Sequence, residues 1–335
     1  MGNGSWSAAT YTASTTRKVA SNSTFGYDRT AKLSGTYAAH EALDPAKKNA
    51  AGLNVREARD NAEQPNSVPI VVGFDATGSM GGVPRLAQQK LSGLFGLLLR
   101  KGYVEDPTIS IAAYGDTYVD RVPLQISQFE ADNRIDDNLD KLFLEGGGGG
   151  NNGETQTLLW YYLANNTQTD AWEKRGKKGY LFVIADEVAL DLTADQVSRF
   201  INDGEAKGDL TAKGLAKAVQ EKWDVTILLV NNTTAHYQQS QTFYEKLFGK
   251  RNVVVVQDAD GITETIGLVL GAKEGNLDDL DQAEKDLKAV GADASSIRAA
   301  LGATKDLIEV GNFGGAVTKG NLSLNLKDDE DNNRL

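Results

Sequence analysis

The sequence predicts an α/β protein with a doubly wound, Rossmann-like sheet of six mostly parallel strands and helices on both faces. From residue 68 onwards, short apolar runs alternate with stretches of helical spacing. The run 68–74 is apolar throughout, as expected of a central strand that is covered on both faces. The 335 residues provide for one such domain of about 200 residues together with accessory segments.

Three regions are expected along the chain. Residues 1–66 are rich in Ser, Thr, Ala, Asn and Gly, which predicts an extended or disordered arm. Residues 67–272 form the predicted α/β domain, and residues 273–335 form a small helical appendage with an acidic tail at 328–331. An alternative for the arm is that its aromatic side chains dock on the main domain or on a neighbouring subunit. These aromatic residues are Trp6, Tyr11, Phe25, Tyr27 and Tyr37.

Apolar spacing assigns the elements of the sheet and its helices. The predicted strands are 68–74, 108–114, 122–129, 180–184, 225–230 and 253–256. The predicted helices are 83–101, 135–142, 155–165, 194–203, 212–222, 242–248 and 263–270, followed by 277–290 and 295–308 in the appendage. Pro123 cannot donate to a ladder, so the third strand is expected near an edge.

Composition limits the partners and the compartment. With 46 acidic against 35 basic residues the net charge is −11, which disfavours nucleic acid and anionic membranes as partners. No apolar run approaches the roughly 20 residues that a membrane span needs. Cysteine is absent, which excludes disulfides, thiolate zinc sites and cysteine nucleophiles. The first 20 residues lack an apolar stretch of signal-peptide type, so a cytoplasmic location is expected.

A possible metal site follows the first strand of the domain. Asp75, Thr77 and Ser79 are spaced so that a loop can turn three oxygen ligands toward one point. Hard cations prefer such oxygen ligands, which favours Mg²⁺ and leaves Mn²⁺ and Ca²⁺ open. In a doubly wound sheet, ligands bind at the carboxyl ends of strands where the strand order reverses. The alternative is that Asp75 and Asp186 merely cap the helices that follow them.

With this motif, residues 68–260 resemble the von Willebrand factor type A (vWA) family and its metal-ion-dependent adhesion site (MIDAS), most closely bacterial or phage intracellular members. The family's first motif is Asp-x-Ser-x-Ser, which Asp75, Thr77 and Ser79 match with Thr at the second position. The resemblance implies a last ligand directly after the fourth strand, which is Asp186 here and would act through a water molecule. The turn Tyr114-Gly115-Asp116 also resembles the family pattern after the second strand.

The resemblance implies one further ligand before the middle helix, and the sequence leaves it open. In integrin β-type members a Glu follows a glycine-rich stretch, which makes Glu154 the first choice here and Thr155 the second. The five glycines at 146–150 resemble that stretch. They could also form a flexible loop and nothing more.

The expected function is metal-dependent protein–protein interaction rather than catalysis. The resemblance implies that an Asp or Glu of a partner completes the coordination of the cation, and it suggests an AAA+ ATPase of the MoxR type as that partner. One alternative is a structural subunit that self-associates or joins an assembly through its terminal segments. A further alternative is a Mg²⁺-dependent phosphohydrolase, but the sequence lacks an Asp-x-Asp pair at Asp75 and a phosphate-binding loop.

Overall fold

The expected α/β class is confirmed in the computed structural model, which describes residues 6–20, 25–49, 52–76, 82, 90, 93–146, 153–202, 204–230 and 237–309. The strands are β1 Arg56–Ala58, β2 Val68–Asp75, β3 Pro107–Tyr114, β4 Leu124–Ile126, β5 Thr167–Thr169, β6 Gly179–Ala185, β7 Trp223–Val230 and β8 Val253–Val256. The six strands predicted from the sequence are therefore present, with ends that differ from the prediction by three residues at most.

Helices occupy most of the remaining described chain. They are α1 Ala8–Ala20, α2 Gly26–Ser34, α3 Arg134–Asp140, α4 Thr157–Asn165, α5 Asp170–Arg175, α6 Ala194–Ile201, α7 Ala212–Gln220, α8 Tyr237–Phe248, α9 Ile262–Lys273, α10 Leu280–Ala289 and α11 Ala294–Glu309. Of the helix predicted at 83–101, residues 93–100 are helical and end in a π-helical turn, Gly96–Arg100. Residues 83–89, 91 and 92 lie outside the described residues.

The main sheet has six strands in the order β4-β3-β2-β6-β7-β8. Neighbouring strands are parallel except β4, which runs antiparallel to β3 at the edge, where Pro123 led us to expect it. The chain moves from β2 to β3 on one side and later returns to β6 on the other side of β2. The strand order thus reverses between β2 and β6. A second sheet, in which β1 pairs in parallel with β5, was not predicted.

Apolar side chains are buried on both sides of the main sheet. Ile70, Val72 and Phe74 of β2 belong to one core cluster, and Val71 belongs to the other, as the alternation of a strand requires. The first cluster includes residues of α9 and α11, and the second includes residues of α4, α7 and α8. The continuous apolar sequence of β2 is explained by burial on both faces.

The expectation of an extended or disordered arm over 1–66 is wrong for the described residues. This region forms α1, α2 and β1, and Tyr11 and Phe25 are buried in the first core cluster. The ring of Trp6 stacks on Phe95 at 4.1 Å between centroids. A few large aromatic side chains bury enough apolar area to order a polar segment once a core exists to receive them. The docking alternative therefore describes Trp6, Tyr11 and Phe25, and the ring of Tyr37 also contacts Phe143 of the main domain edge-on at 6.1 Å.

The helical appendage is also part of this core. Leu287 of α10 and Ala300 and Ile308 of α11 are buried in the same cluster as β2. The acidic tail at 328–331 lies outside the described residues. Within the described part of the chain, no helix has the length and apolar character needed to cross a membrane.

Candidate metal centre

The candidate site lies at the carboxyl ends of three neighbouring strands, β2, β3 and β6. Asp75 is the last residue of β2, and it pairs in register with Tyr114, the last residue of β3. Asp186 directly follows β6, the other neighbour of β2. The side chains of Asp75 and Asp186 are buried, with 0% and 3% exposed. The main sheet therefore brings two of the predicted ligands together at the carboxyl ends of its strands.

The loop after β3 adds another buried carboxylate, Asp116. Its Oδ1 accepts a hydrogen bond from the backbone N–H of Tyr118 at 2.9 Å. Its own backbone N–H donates to Oδ2 of Asp120 at 2.7 Å. These bonds fix the turn at the end of β3. Asp116 was not among the predicted ligands, although the turn Tyr114-Gly115-Asp116 at the end of a buried strand was a visible signal.

A short extended segment before α4 places Glu154. The backbone N–H of Glu154 donates to the carbonyl of Val188 at 3.0 Å, and the carbonyl of Glu154 accepts from the N–H of Leu190 at 2.9 Å. These two bonds join Glu154 to the loop that begins at Asp186. Two segments that are 32 positions apart in the sequence are thereby joined at the site.

Gly153 permits this close approach of the two backbones. A Cβ at this position would lie 2.7 Å from Cδ2 of Leu190 and 3.1 Å from the carbonyl oxygen of Val188. A side chain larger than glycine would therefore push the loop away from Glu154. Residues 147–152 lie outside the described residues, so the flexible-loop interpretation of the glycine run stays a prediction.

Thr155 links the loop after β3 to the start of α4. Its Oγ1 donates to the carbonyl of Gly115 at 2.9 Å and accepts from the backbone N–H of Thr117 at 2.7 Å. The side chain is fully buried. The hydroxyl of Thr155 thus already makes two hydrogen bonds that hold the site together.

Glu154 carries a buried carboxyl group whose pKa is strongly raised. Only 7% of the residue is exposed, and among the described residues no group forms a hydrogen bond to its Oε2. Burial, followed by the charges of Asp75, Asp116, Asp120 and Glu187, raises the pKa of Glu154 to about 9. Without a cation, this carboxyl group is therefore neutral at pH 7. A cation at the site would lower the pKa of Glu154 and so favour its carboxylate form.

Three further buried polar side chains, those of Tyr114, Tyr244 and Gln156, lie at the site. The hydroxyl of Tyr114 donates to the carbonyl of Ile184 at 2.6 Å, and the hydroxyl of Tyr244 donates to the carbonyl of Glu187 at 2.6 Å. Gln156 donates through Nε2 to the hydroxyl oxygen of Tyr244. Burial raises the pKa of both tyrosines well above the usual value, so they remain neutral. No local signal in the sequence pointed to Tyr244, which reaches the site from α8.

Four of the six predicted ligands are described, namely Asp75, Glu154, Thr155 and Asp186, whereas Thr77 and Ser79 lie outside the described residues. Within the described chain, no group of three or more His, Cys, Asp or Glu side chains is arranged to hold a metal ion. The predicted donors are carboxylate and hydroxyl oxygens, the chemistry that Mg²⁺ and Ca²⁺ prefer. The unbonded Oε2 of Glu154 fits such a donor set.

The helix-capping alternative is wrong for Asp186. The next helix, α6, begins eight residues later at Ala194, and Thr193 caps it through a capping box with Gln196. The residues directly after Ala76, starting at residue 77, lie outside the described residues. For Asp75 the capping alternative therefore stays a prediction.

Comparison with known proteins identifies no family for this chain. No protein-family model matches the sequence, and no curated protein matches it. Among solved structures, the pilus adhesin SpaC from Lactobacillus rhamnosus GG is 10% identical with a TM-score of 0.44. The match covers 70% of this chain and 31% of SpaC. With a TM-score below 0.5, this similarity carries no argument about function.

Two other solved structures are similar to the same degree. Proximal thread matrix protein 1 from the mussel byssus is 12% identical with a TM-score of 0.41, over 61% of this chain and 47% of that protein. The pilus tip protein Mfa5 from Porphyromonas gingivalis is 11% identical with a TM-score of 0.37, over 60% of this chain and 51% of its three N-terminal domains. The chain thus spans about a third to a half of the structures it matches.

Proposed function

We propose that residues 68–260 form a vWA-type domain whose MIDAS-type site binds one divalent cation and, through it, an acidic residue of a protein partner. The cation is Mg²⁺, with Mn²⁺ and Ca²⁺ as alternatives, and the module is not catalytic. The observation that supports this best is the buried carboxyl group of Glu154. It has an unbonded oxygen, and the charges that act on it most strongly are all carboxylates.

Burying Glu154 among other carboxylates costs free energy unless a positive charge offsets their repulsion. Buried carboxyl groups in folded proteins normally have hydrogen-bond or ion-pair partners. Here Asp75, Asp116 and Asp120 instead raise the pKa of Glu154. A single divalent cation would supply two positive charges at the point where these carboxylates repel one another.

The strand order supports the position of the site. Within the main sheet, the order β4-β3-β2-β6-β7-β8 corresponds to 3-2-1-4-5-6 in chain order, the order of a doubly wound fold. We infer that finer fold class for the domain. Such folds bind ligands at the carboxyl ends of the strands where the order reverses, here between β2 and β6. Asp75 and Asp186 lie at that place.

We assign Asp75, Thr77, Ser79 and Glu154 as the residues that would hold the cation. Glu154 is preferred to Thr155 because the hydroxyl of Thr155 already bonds to Gly115 and Thr117, whereas Oε2 of Glu154 has no bond among the described residues. Asp186 is assigned a role through a water molecule.

The surface beside the site is suited to a protein partner. Tyr118 and Val119, in the loop after Asp116, are 56% and 51% exposed and adjacent in the chain. When bound, the cation would supply a coordination position for the partner's Asp or Glu, and this apolar pair would contact the surface around it. An AAA+ ATPase of the MoxR type is the partner that we propose to test first.

Calorimetric titration with Mg²⁺ tests the site, and a pull-down from the native host in Mg²⁺ or EDTA tests the function. The variants are Asp75→Ala and Glu154→Gln. The control is Asp281→Ala, which removes one exposed carboxylate on α10. We expect Mg²⁺ binding, and a partner retained only in Mg²⁺, for the wild type and for Asp281→Ala. Both should be lost in the two site variants.

The two readouts separate the parts of the proposal. Equal Mg²⁺ binding by all variants would refute the metal site. Normal Mg²⁺ binding combined with a partner that is retained in EDTA would support the metal site. It would refute the proposal that the partner binds through the metal ion.

A further inference from the structure

The edge strand β8 has an open outer side. Its inner side pairs with β7, from Ile227 opposite Val253 to Val230 opposite Val256. Among the described residues, no strand or isolated bridge pairs with the other side. The strand consists of four valines and lacks the charge or proline that usually protects an edge. Such an edge is a template for another strand.

The opposite edge of the sheet is covered, which makes the open side of β8 distinctive. The backbone N–H of Ile126 in β4 donates to the carbonyl of Leu43 at 2.8 Å. The carbonyl of Ile126 accepts from Nε of Arg56 at 3.1 Å. The N-terminal region thus covers the β4 edge, whereas no described segment covers the β8 edge.

A groove of about 670 Å³ runs along β8. It is lined by the consecutive residues Val253, Val254 and Val255. Because successive side chains of a strand point to opposite faces, a cavity that touches all three lies along the edge and not on one face. The groove therefore occupies the place of a further strand.

The two walls of the groove differ in chemistry. The α8 wall presents Gln241 and Glu245, which are polar. The α11 wall presents the small residues Ala299, Gly302 and Ala303 at its centre, with Arg298 before them and Asp306 and Leu307 after them. A Cβ built at Gly302 would meet no atom within 4 Å, so there is open space on this side. A strand that fits here would point apolar side chains toward α11 and polar ones toward α8.

The sequence contains such a strand beyond α11. Residues 321–326 read Asn-Leu-Ser-Leu-Asn-Leu, in strict alternation of polar and apolar side chains. This pattern predicts a strand with one apolar face formed by three leucines. The segment lies outside the described residues, so none of the helices and strands given above includes it.

The segment can reach the groove within one chain. Helix α11 ends at Glu309, and Asp306 and Leu307 near that end already line the groove. Residues 310–320 can span about 36 Å when extended. This exceeds the length of about 24 Å that the 16 residues of α11 have as a helix. The chain can therefore turn back along β8.

The basic side chains at the groove complement the acidic residues beyond the segment. Lys250, Arg251 and Arg298 line the groove, and none of them forms an ion pair with another described residue. Four consecutive acidic residues, 328–331, come soon after Leu326. These can pair with the basic residues once the strand is in place, although Glu245 and Asp306 reduce the net charge of the groove.

We propose that residues 321–326 add to the outer edge of β8 in the same chain as a seventh strand of the main sheet. Leu322, Leu324 and Leu326 pack against α11, and Ser323 and Asn325 face α8. Main-chain hydrogen bonds then provide affinity, and the alternating side chains provide register. The C-terminal segment thereby protects an edge that would otherwise pair with other chains.

Hydrogen–deuterium exchange of the full chain tests this proposal. Leu324→Pro removes a backbone donor and prevents strand pairing, whereas the control Asn332→Pro places the same residue beyond the proposed strand. In the wild type and the control, we expect slow exchange of the β8 amides that do not bond to β7. In Leu324→Pro these amides should exchange about tenfold faster or more, and the exchange rates of the β2 amides should not change.

Two outcomes would overturn the proposal. Equal exchange of β8 in all three proteins would show that residues 321–326 do not pair with it. Protection of β8 that is lost on dilution, with a dimer detected by light scattering, would assign the strand to a second copy of the chain instead of the same one.

Discussion

At the scale of single residues, Glu154 shows how burial and charge combine. The carboxyl group has an ordinary pKa of 4.5, and the folded protein raises this to about 9. Asp75 and Asp116 contribute because they lie close enough to repel a third negative charge. Without a cation, the folded protein therefore holds one proton at pH 7 that the unfolded chain would release.

This shift makes the stability of the metal-free protein depend on pH. The folded state binds more protons than the unfolded state between pH 4.5 and about 9, so the free energy of unfolding falls as pH rises through this window. The slope from one proton is at most about 1.4 kcal/mol per pH unit. Glu154→Gln should remove this component. Urea unfolding in EDTA at pH 5, 7 and 9 measures it for both proteins.

The difference between the two proteins isolates Glu154 from the other titrating groups. Relative to the wild type, Glu154→Gln should gain stability steadily from pH 5 to pH 9. A constant difference across this range would contradict the assignment of the raised pKa to Glu154. With saturating Mg²⁺ the wild type should lose this pH dependence, because the cation replaces the proton.

At the scale of elements, the site depends on loops that are fixed to one another. Thr155 binds the loop after β3 through Gly115 and Thr117, and Glu154 binds the loop after β6 through Val188 and Leu190. The strands bring the loops together at their carboxyl ends, and these hydrogen bonds of the Thr155 hydroxyl and the Glu154 backbone hold the loops in place. Such preorganisation is what a small hard cation requires.

Gly153→Ala tests this dependence. The added methyl group would meet Leu190 and the carbonyl of Val188, so the loop must shift at a cost of about 1–3 kcal/mol. We expect a lower melting temperature and weaker Mg²⁺ binding in calorimetric titration. In the control Gly93→Ala, the new Cβ would meet no atom within 4 Å. Normal Mg²⁺ binding by Gly153→Ala would show that the packing of this loop does not position Glu154.

At the scale of the whole molecule, the N-terminal region is part of the folded core. Besides the aromatic contacts of Trp6, the backbone of Ser7 and the side chain of Asn133 exchange two hydrogen bonds, at 2.8 and 3.0 Å. The hydroxyl of Ser14 donates to Oδ2 of Asp136 at 2.7 Å. The N-terminal segment thus lies against α3, and its polar composition does not prevent it from packing.

Trp6→Ala should lower the free energy of unfolding by about 2 kcal/mol, since Trp6 is only partly buried. The lost contacts are the stacking on Phe95 and the ring contact with Tyr11 at 5.0 Å. Urea unfolding measures the change. The control Leu33→Ala alters a residue that is 81% exposed and should change stability by less than about 0.5 kcal/mol. Equal stabilities of the two variants would show that Trp6 docking contributes nothing.

Particular residues show how far prediction from sequence reached. The apolar runs at β2 and β6 were sufficient to place Asp75 and Asp186 at strand ends, because a buried strand produces a local apolar pattern. The short strands β1 and β5 were missed, since three residues each give no period to detect. Tyr244 was not selected because its importance depends on residues far away in the sequence, whereas the turn that contains Asp116 was noticed but Asp116 was not chosen as a ligand.

The sequence by itself determined the α/β class, the order of the strands along the chain and the oxygen donors at their ends, because helix and strand periods and residue chemistry are local properties. Tertiary structure alone decided that the N-terminal region packs on the core, that no other described strand pairs with the outer side of β8 and that Glu154 is buried among other carboxylates. These features arise from contacts between segments far apart in the chain, and burial and charge at such contacts are set by packing, which no local pattern records.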